Sequence, residues 1–376
     1  MKQRRFLCIL CCSCLLAALL AGCTLAGKEK PSDSFRLPAG CSEYGRRQLS
    51  DLEARAYDQI LPALFEGKTT VFLPQLGEEN LRRVMVALFA DLPVVSWVGN
   101  EYSFASLAGR TVLWLSYELD REEIAERLIE LDQAAEDFAG DIDPSLPAFD
   151  QAHLIYDRLA EEVAYDLDAP RTNELAGALL DRRATCKGIA QAYQYLLERR
   201  GIETLMVYGE TSQPHAWNIV RLEGVYYLAD PTWGNGQVAD GPRYVNHEYL
   251  LQDEERFSAT HTPFDEGENY PLPECFSRAQ NYFVRTGTLV SEGDGEQAAC
   301  TLEEALASAA QQNAAHGGKT LQIAFADPTL ASHLMETRIQ TGDADQLARE
   351  LAERQGYRVL GRTYSETTQT LSYLLE

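Results

Sequence analysis

Thr185-Cys186-Lys187-Gly188-Ile189-Ala190-Gln191-Ala192-Tyr193-Gln194-Tyr195-Leu196-Leu197 decides the reading of this chain. Ile189, Tyr193, Leu196 and Leu197 recur at helical spacing and make one apolar stripe. Thr185 is a good residue to precede a helix, and Gly201 a good one to stop it. Cys186 therefore falls in the first turn of a buried helix. The unpaired N–H groups there favour a negatively charged sulfur. Gly188, lacking a side chain, leaves room beside the helix start for another stretch of chain.

Downstream, residues 202–209 read as a strand. His215-Ala216-Trp217-Asn218-Ile219-Val220-Arg221-Leu222 and Val225-Tyr226-Tyr227-Leu228-Ala229-Asp230 read as a hairpin turning at Glu223-Gly224. With a two-residue turn, Asp230 opposes Trp217, so His215, Trp217 and Asp230 share one side of the sheet. His215 and Asp230 are then diagonal neighbours roughly 7–8 Å apart along the backbone, within reach of an imidazole–carboxylate hydrogen bond.

The residue types match a division of labour. A thiolate attacks, an imidazole carries the proton, and a carboxylate orients the ring and stabilises its charged form. Backbone N–H groups at the helix start suit a developing oxyanion. Singly, each residue has a plainer reading: a small buried Cys, a structural His, a turn Asp before Pro231. Their order on helix, strand and strand favours the chemical reading.

The segment around residues 146–262 resembles the transglutaminase-like superfamily. The resemblance rests on Cys186, Gly188 and Ala190, then His215-Ala216-Trp217-Asn218, then Asp230-Pro231-Thr232-Trp233. The helix with Tyr156 and the later Tyr165-Asp166 resemble the stretch before the family's Cys. Ile189 departs from the pattern, standing where many bacterial relatives carry an aromatic residue. The resemblance implies an α+β fold with a papain-like core, a Cys-bearing helix packed on an antiparallel sheet. It implies catalytic Cys186, His215 and Asp230. Apart from the resemblance, Tyr165 is a candidate to lend its hydroxyl to the oxyanion, and Trp217 and Trp233 read as core or cleft wall, either able to shape the substrate groove. The expected activity is thiol-dependent acyl transfer or hydrolysis at a peptide or glutamine amide. The competing expectation is a silent relative used as a surface binding or scaffold module. No metal or organic cofactor is expected. No close Cys pair exists past the leader, and His247 and His261 lie in a polar stretch that reads as structural or solvent-facing.

Outward from this core the chain is less specific. Residues 46–140 read as an N-terminal α/β module, with helices over 46–65, 78–89 and 120–138 and strands over 69–73 and 110–117. The core occupies 141–270, starting with a helix over 149–164. A C-terminal α/β module spans 271–376, with a helix over 302–313, a strand over 321–325 and a closing hairpin. Residues 23–45 read as a flexible tether.

Residues 1–22 read as a secretory leader, with basic Lys2, Arg4 and Arg5 before an apolar run too short to prefer spanning a bilayer. Leu20-Ala21-Gly22-Cys23 resembles a bacterial lipoprotein processing site, which implies lipidation of Cys23 and an anchor on the extracytoplasmic face of the cell membrane. Of nine Cys, five lie in or at the end of the leader. Cys41, Cys186, Cys275 and Cys300 remain, too few for a disulfide-built scaffold, although Cys275 could pair with Cys300. The formal charge of −24 and the lack of a basic stretch argue against nucleic acid as a partner. A protein or peptide at the cell surface is the expected substrate.

Overall fold

Strands Pro214–Leu222 and Val225–Ala229 form the hairpin expected from the spacing. Glu223 and Gly224 turn it with φ of 52° and 86°, both in the left-handed region that a two-residue turn of this kind requires. The register pairs Asn218 with Ala229 and Leu222 with Val225, as a two-residue turn dictates. A computed structural model describes residues 37–237, 243–264, 270–291 and 301–376. Cys23, the leader and Cys300 lie outside the described residues.

Thr204–Glu210 pairs antiparallel with Pro214–Leu222 and the short Thr262–Pro263 adds an edge, giving a four-stranded antiparallel sheet. Side chains alternate between its faces. Met206 and Ala216 pack against Ala190 of helix Cys186–Glu198, with Cys186 and Tyr208 beside them. Leu205, Val207, Trp217, Ile219 and Leu228 form the opposite core with Tyr249, Phe257 and Tyr270. The buried Asn218 Nδ2 donates to Ala190 O at 3.0 Å and Leu205 O at 3.2 Å, tying helix to sheet. The mixed α+β core expected from the sequence is thus present.

Pro38–Glu376 packs as one unit. Its N-terminal sheet has the order Thr70–Pro74, Arg110–Tyr117, Val98–Leu107. Its C-terminal sheet runs Leu289–Val290, Thr320–Phe325, Thr370–Leu375, Val359–Ser365. The strand Val98–Leu107 carries Asn100, Glu101, Ser103 and Ser106 and offered no clear apolar pattern.

The expected tether is shorter than residues 23–45, because its end is folded. The buried Asp91 carboxylate accepts from Gly45 N at 2.8 Å, Arg46 N at 2.9 Å and Tyr57 Oη at 3.0 Å. Tyr44 is buried against Tyr226 and Tyr270. Gly40 has a φ of 82°, and a Cβ there would stand 2.3 Å from the Tyr195 ring.

Candidate active site

Helix Cys186–Glu198 begins at Thr185, whose backbone is extended as a preceding residue should be. Its hydroxyl does not cap the helix, contrary to expectation. It bonds instead to Asn173 Oδ1 at 2.7 Å and Thr172 O at 3.2 Å. With no side chain capping the helix, its first-turn N–H groups are not claimed by a Thr185 oxygen. Gly188 does admit a close neighbour, and that neighbour is the chain's own segment: a Cβ would stand 2.7 Å from Thr172 O and 2.8 Å from Glu174 O. Cys186 is half-buried with a free thiol.

His215 is the second residue of its strand and is buried. Its Nε2 lies 2.7 Å from Asp230 Oδ2, and Cys186 is near enough to influence the same ring. With Nε2 committed to the carboxylate, Nδ1 is the nitrogen left for sulfur. Burial disfavours the charged ring. The hydrogen bonds and negative charges of Asp230 and Cys186 outweigh it and push His215 up to about 10.

Asp230 is fully buried, and both its oxygens are used. Oδ1 accepts from Thr232 N at 2.8 Å and Trp233 N at 3.2 Å, a turn that the Asp-Pro-Thr-Trp sequence closes on itself. Oδ2 accepts from His215 and from a second imidazole, His261 Nε2 at 3.2 Å. Burial alone would raise its pKa; the two imidazoles outweigh that and hold it down to about 2. The Asp230 carbonyl is fixed too, accepting from Tyr156 Oη at 3.0 Å.

His261, read from the sequence as structural or solvent-facing, has a place at the site that the sequence did not signal. It is buried rather than solvent-facing, with its ring 4.6 Å from Trp233, 5.0 Å from Trp217 and 4.1 Å from Phe257. Its Nδ1 lies 2.8 Å from Thr260 Oγ1. Trp217 is core beneath the two imidazoles rather than cleft wall. Trp233 is half-buried, with its ring 5.9 Å from that of His215. Tyr165 is 49% exposed beside the site. Burial, then the negative charges of Cys186 and Asp230, push its hydroxyl up, so it stays protonated and able to donate. A cavity of about 540 Å³ is lined by Lys187, which follows Cys186 in the chain, with Gln191 and Tyr208 on one side, and by Phe89, Val98 and Tyr102 of the N-terminal module on the other.

The class that this fold and site define is transglutaminase-like. The Transglutaminase-like superfamily core matches residues 133–231, so the chain carries a transglutaminase-like core. Among curated proteins it is similar to the kyphoscoliosis peptidase of Mus musculus, 23% identical over 38% of this chain and 25% of that one. The chain thus aligns with about a quarter of the length of that relative. Among solved structures it is similar to a TGase, at 15% identity over 48% of this chain and 54% of the other with a TM-score of 0.26. It is also similar to the periplasmic domain of TgpA from Pseudomonas aeruginosa, at 16% identity over 44% and 68% with a TM-score of 0.22. The match supports a thiol-dependent enzyme at the level of the family.

Proposed function

We propose that this chain is a Cys-His-Asp acyl transferase or hydrolase acting at a peptide or glutamine amide of extracytoplasmic proteins, held at the membrane by a lipid on Cys23. One observation carries the reading: His215 Nε2 sits 2.7 Å from the buried Asp230 carboxylate, and Cys186 is near enough to help raise the proton affinity of the same ring. Cys186 Sγ attacks the amide carbon, and the C–N bond breaks as His215 gives its proton to the departing amine. The thioester then passes its acyl group to water or to a second amine. That nucleophile yields its proton to His215, and the thiolate leaves. Asp230 keeps the ring oriented and the imidazolium stabilised throughout. The first-turn N–H groups of the Cys186 helix, with the Tyr165 hydroxyl, are the donors for the oxyanion. The cavity beside Lys187, Gln191 and Tyr208 supports a substrate path between helix start and N-terminal module.

The test is peptide-resolved mass spectrometry of cell-surface proteins exposed to active protein or to Cys186→Ala. The expected result is new termini, glutamine-to-glutamate changes or amide cross-links with the active form alone. Identical spectra for the two forms would contradict the proposal.

A further inference from the structure

A second cluster of ligating side chains lies away from the thiol. Helix Ala148–Glu162 carries His153 and Asp157 one turn apart, on one face. The segment after strand Arg243–Val245 brings His247 to them. Donor atoms of His153, Asp157 and His247 all lie within 4.8 Å of one another. Asp157 Oδ1 is 2.8 Å from His247 Nε2, and Asp157 Oδ2 is 3.2 Å from His153 Nε2. The ring of His316, the last residue of helix Leu302–His316, is 5.3 Å from that of His153 at the exposed mouth of the cluster.

Hydrogen bonding fixes how His247 presents itself. Gln322 Oε1 accepts the His247 backbone N–H at 3.1 Å and lies 2.7 Å from His247 Nδ1. The other end of Gln322 donates to Ser372 Oγ at 3.0 Å, so the amide cannot be turned round without loss. Nδ1 therefore carries a hydrogen, and in a neutral ring Nε2 is a lone pair. It faces a carboxylate oxygen at 2.8 Å, and two lone pairs at that distance need a positive charge between them. Tyr282 stacks on the His247 ring at 3.9 Å with a 6° angle and holds it in place. His153 is buried, and among the described residues its Nε2 has no aligned hydrogen-bond partner, only the ion-pair contact with Asp157.

We propose that His153, Asp157 and His247 bind a divalent transition metal of the zinc class, with His316 placed to supply a fourth ligand. Two imidazole nitrogens and a carboxylate are a zinc-type donor set, and ligands at 2.0–2.1 Å in a tetrahedron stand about 3.3 Å apart. The contacts of 2.8 and 3.2 Å are close to that spacing. The Gln322 carbonyl on the far nitrogen of His247 is the kind of outer contact that orients a ligating imidazole. The bound ion would tie the core helix to the C-terminal module, which supplies Gln322 and His316. The expectation of no metal rested on the apparent lack of converging ligands, and these residues converge only in the fold.

The experiment uses the folded chain freed of metal by chelator, then titrated with zinc and, separately, with cobalt. One equivalent of zinc should bind with a rise in Tm, and cobalt should give a tetrahedral absorption spectrum without thiolate charge transfer. Asp157→Asn, which keeps side-chain shape, and His153→Gln should each weaken zinc at least tenfold, whereas Cys186→Ala should not. Failure of the wild type to bind one equivalent would overturn the proposal without recourse to variants, and would mean that a proton holds the His247–Asp157 contact. A thiolate band in the cobalt spectrum, or undiminished binding by folded Asp157→Asn, would also overturn it by placing the ion elsewhere.

Discussion

Cys186→Ala is expected to abolish covalent chemistry on any substrate the wild type processes, and His215→Ala to cost nearly as much. By comparison with other nucleophile–base units, the fall in kcat is on the order of 10⁴-fold or more for either change. The two should not add: the double variant should match Cys186→Ala, because one catalytic unit is already broken. Cys186 is half-buried and packs only at the margin of the Ala190–Met206–Ala216 cluster, so its loss should hardly alter Tm. Activity and melting measured on the same samples check both halves. Added losses in the double variant would mean that sulfur and imidazole work independently.

Asp230→Ala is expected to harm stability as well as activity. It would leave two buried imidazoles and the Thr232 and Trp233 N–H groups without their acceptor. Breaking a buried charged network by removing one partner costs roughly 3–5 kcal/mol. Asp230→Asn separates the effects. Its Oδ1 can still take the two backbone N–H groups, but an NH₂ now faces His215. The ring must then offer Nε2 as a lone pair and keep its hydrogen on Nδ1, the wrong tautomer for taking a proton near sulfur. A serine–histidine–aspartate protease loses roughly 10⁴-fold in kcat by this route, and less is expected here than for loss of Cys186 itself.

The pH dependence follows from the same contacts. The stabilisation from Asp230 is present above its ordinary value of 3.8 and is lost as pH falls through about 2. That from His215 is present below its ordinary value of 6.5 and is lost as pH rises through about 10. The Tm gap between wild type and Asp230→Asn should therefore be widest between these ordinary values and shrink toward pH 10. A gap independent of pH would remove the charged pair from the account.

The hairpin and its consequences were legible because two periodicities fixed them. A two-residue turn sets register, and register sets which side chains share a face. His215 and Asp230 were thus legible as neighbours on one face, whereas Cys186, on a helix outside the sheet, joined them through the order of the three residues and the motifs around them. Thr185 illustrates a limit: its type marked the helix start, but Asn173, a tertiary neighbour, took its hydroxyl. His261 follows Ala259 and Thr260 in a stretch with no periodicity. Its burial is made by Phe257, four residues before it, and by Trp217 and Trp233 from elsewhere in the chain. His153 sat in a helix read as core, where the spacing His153-x-x-x-Asp157 was an available signal for a shared face. The partners that give it meaning, His247 and His316, are distant in sequence and met only through packing of the C-terminal module.

The central claim is that Cys186 is a thiol activated by its place beside His215, and peptide-resolved alkylation at neutral pH tests it without knowledge of the substrate. Burial pushes the Cys41 thiol up, followed by the charges of Asp91 and Glu198; burial, then the charge of Glu254, pushes Cys275 up to about 12. In the folded, reduced protein, iodoacetamide should label Cys186 at least tenfold faster than Cys41 or Cys275, and His215→Ala should erase that advantage. Equal labelling of the three thiols, or an advantage untouched by His215→Ala, would contradict the account.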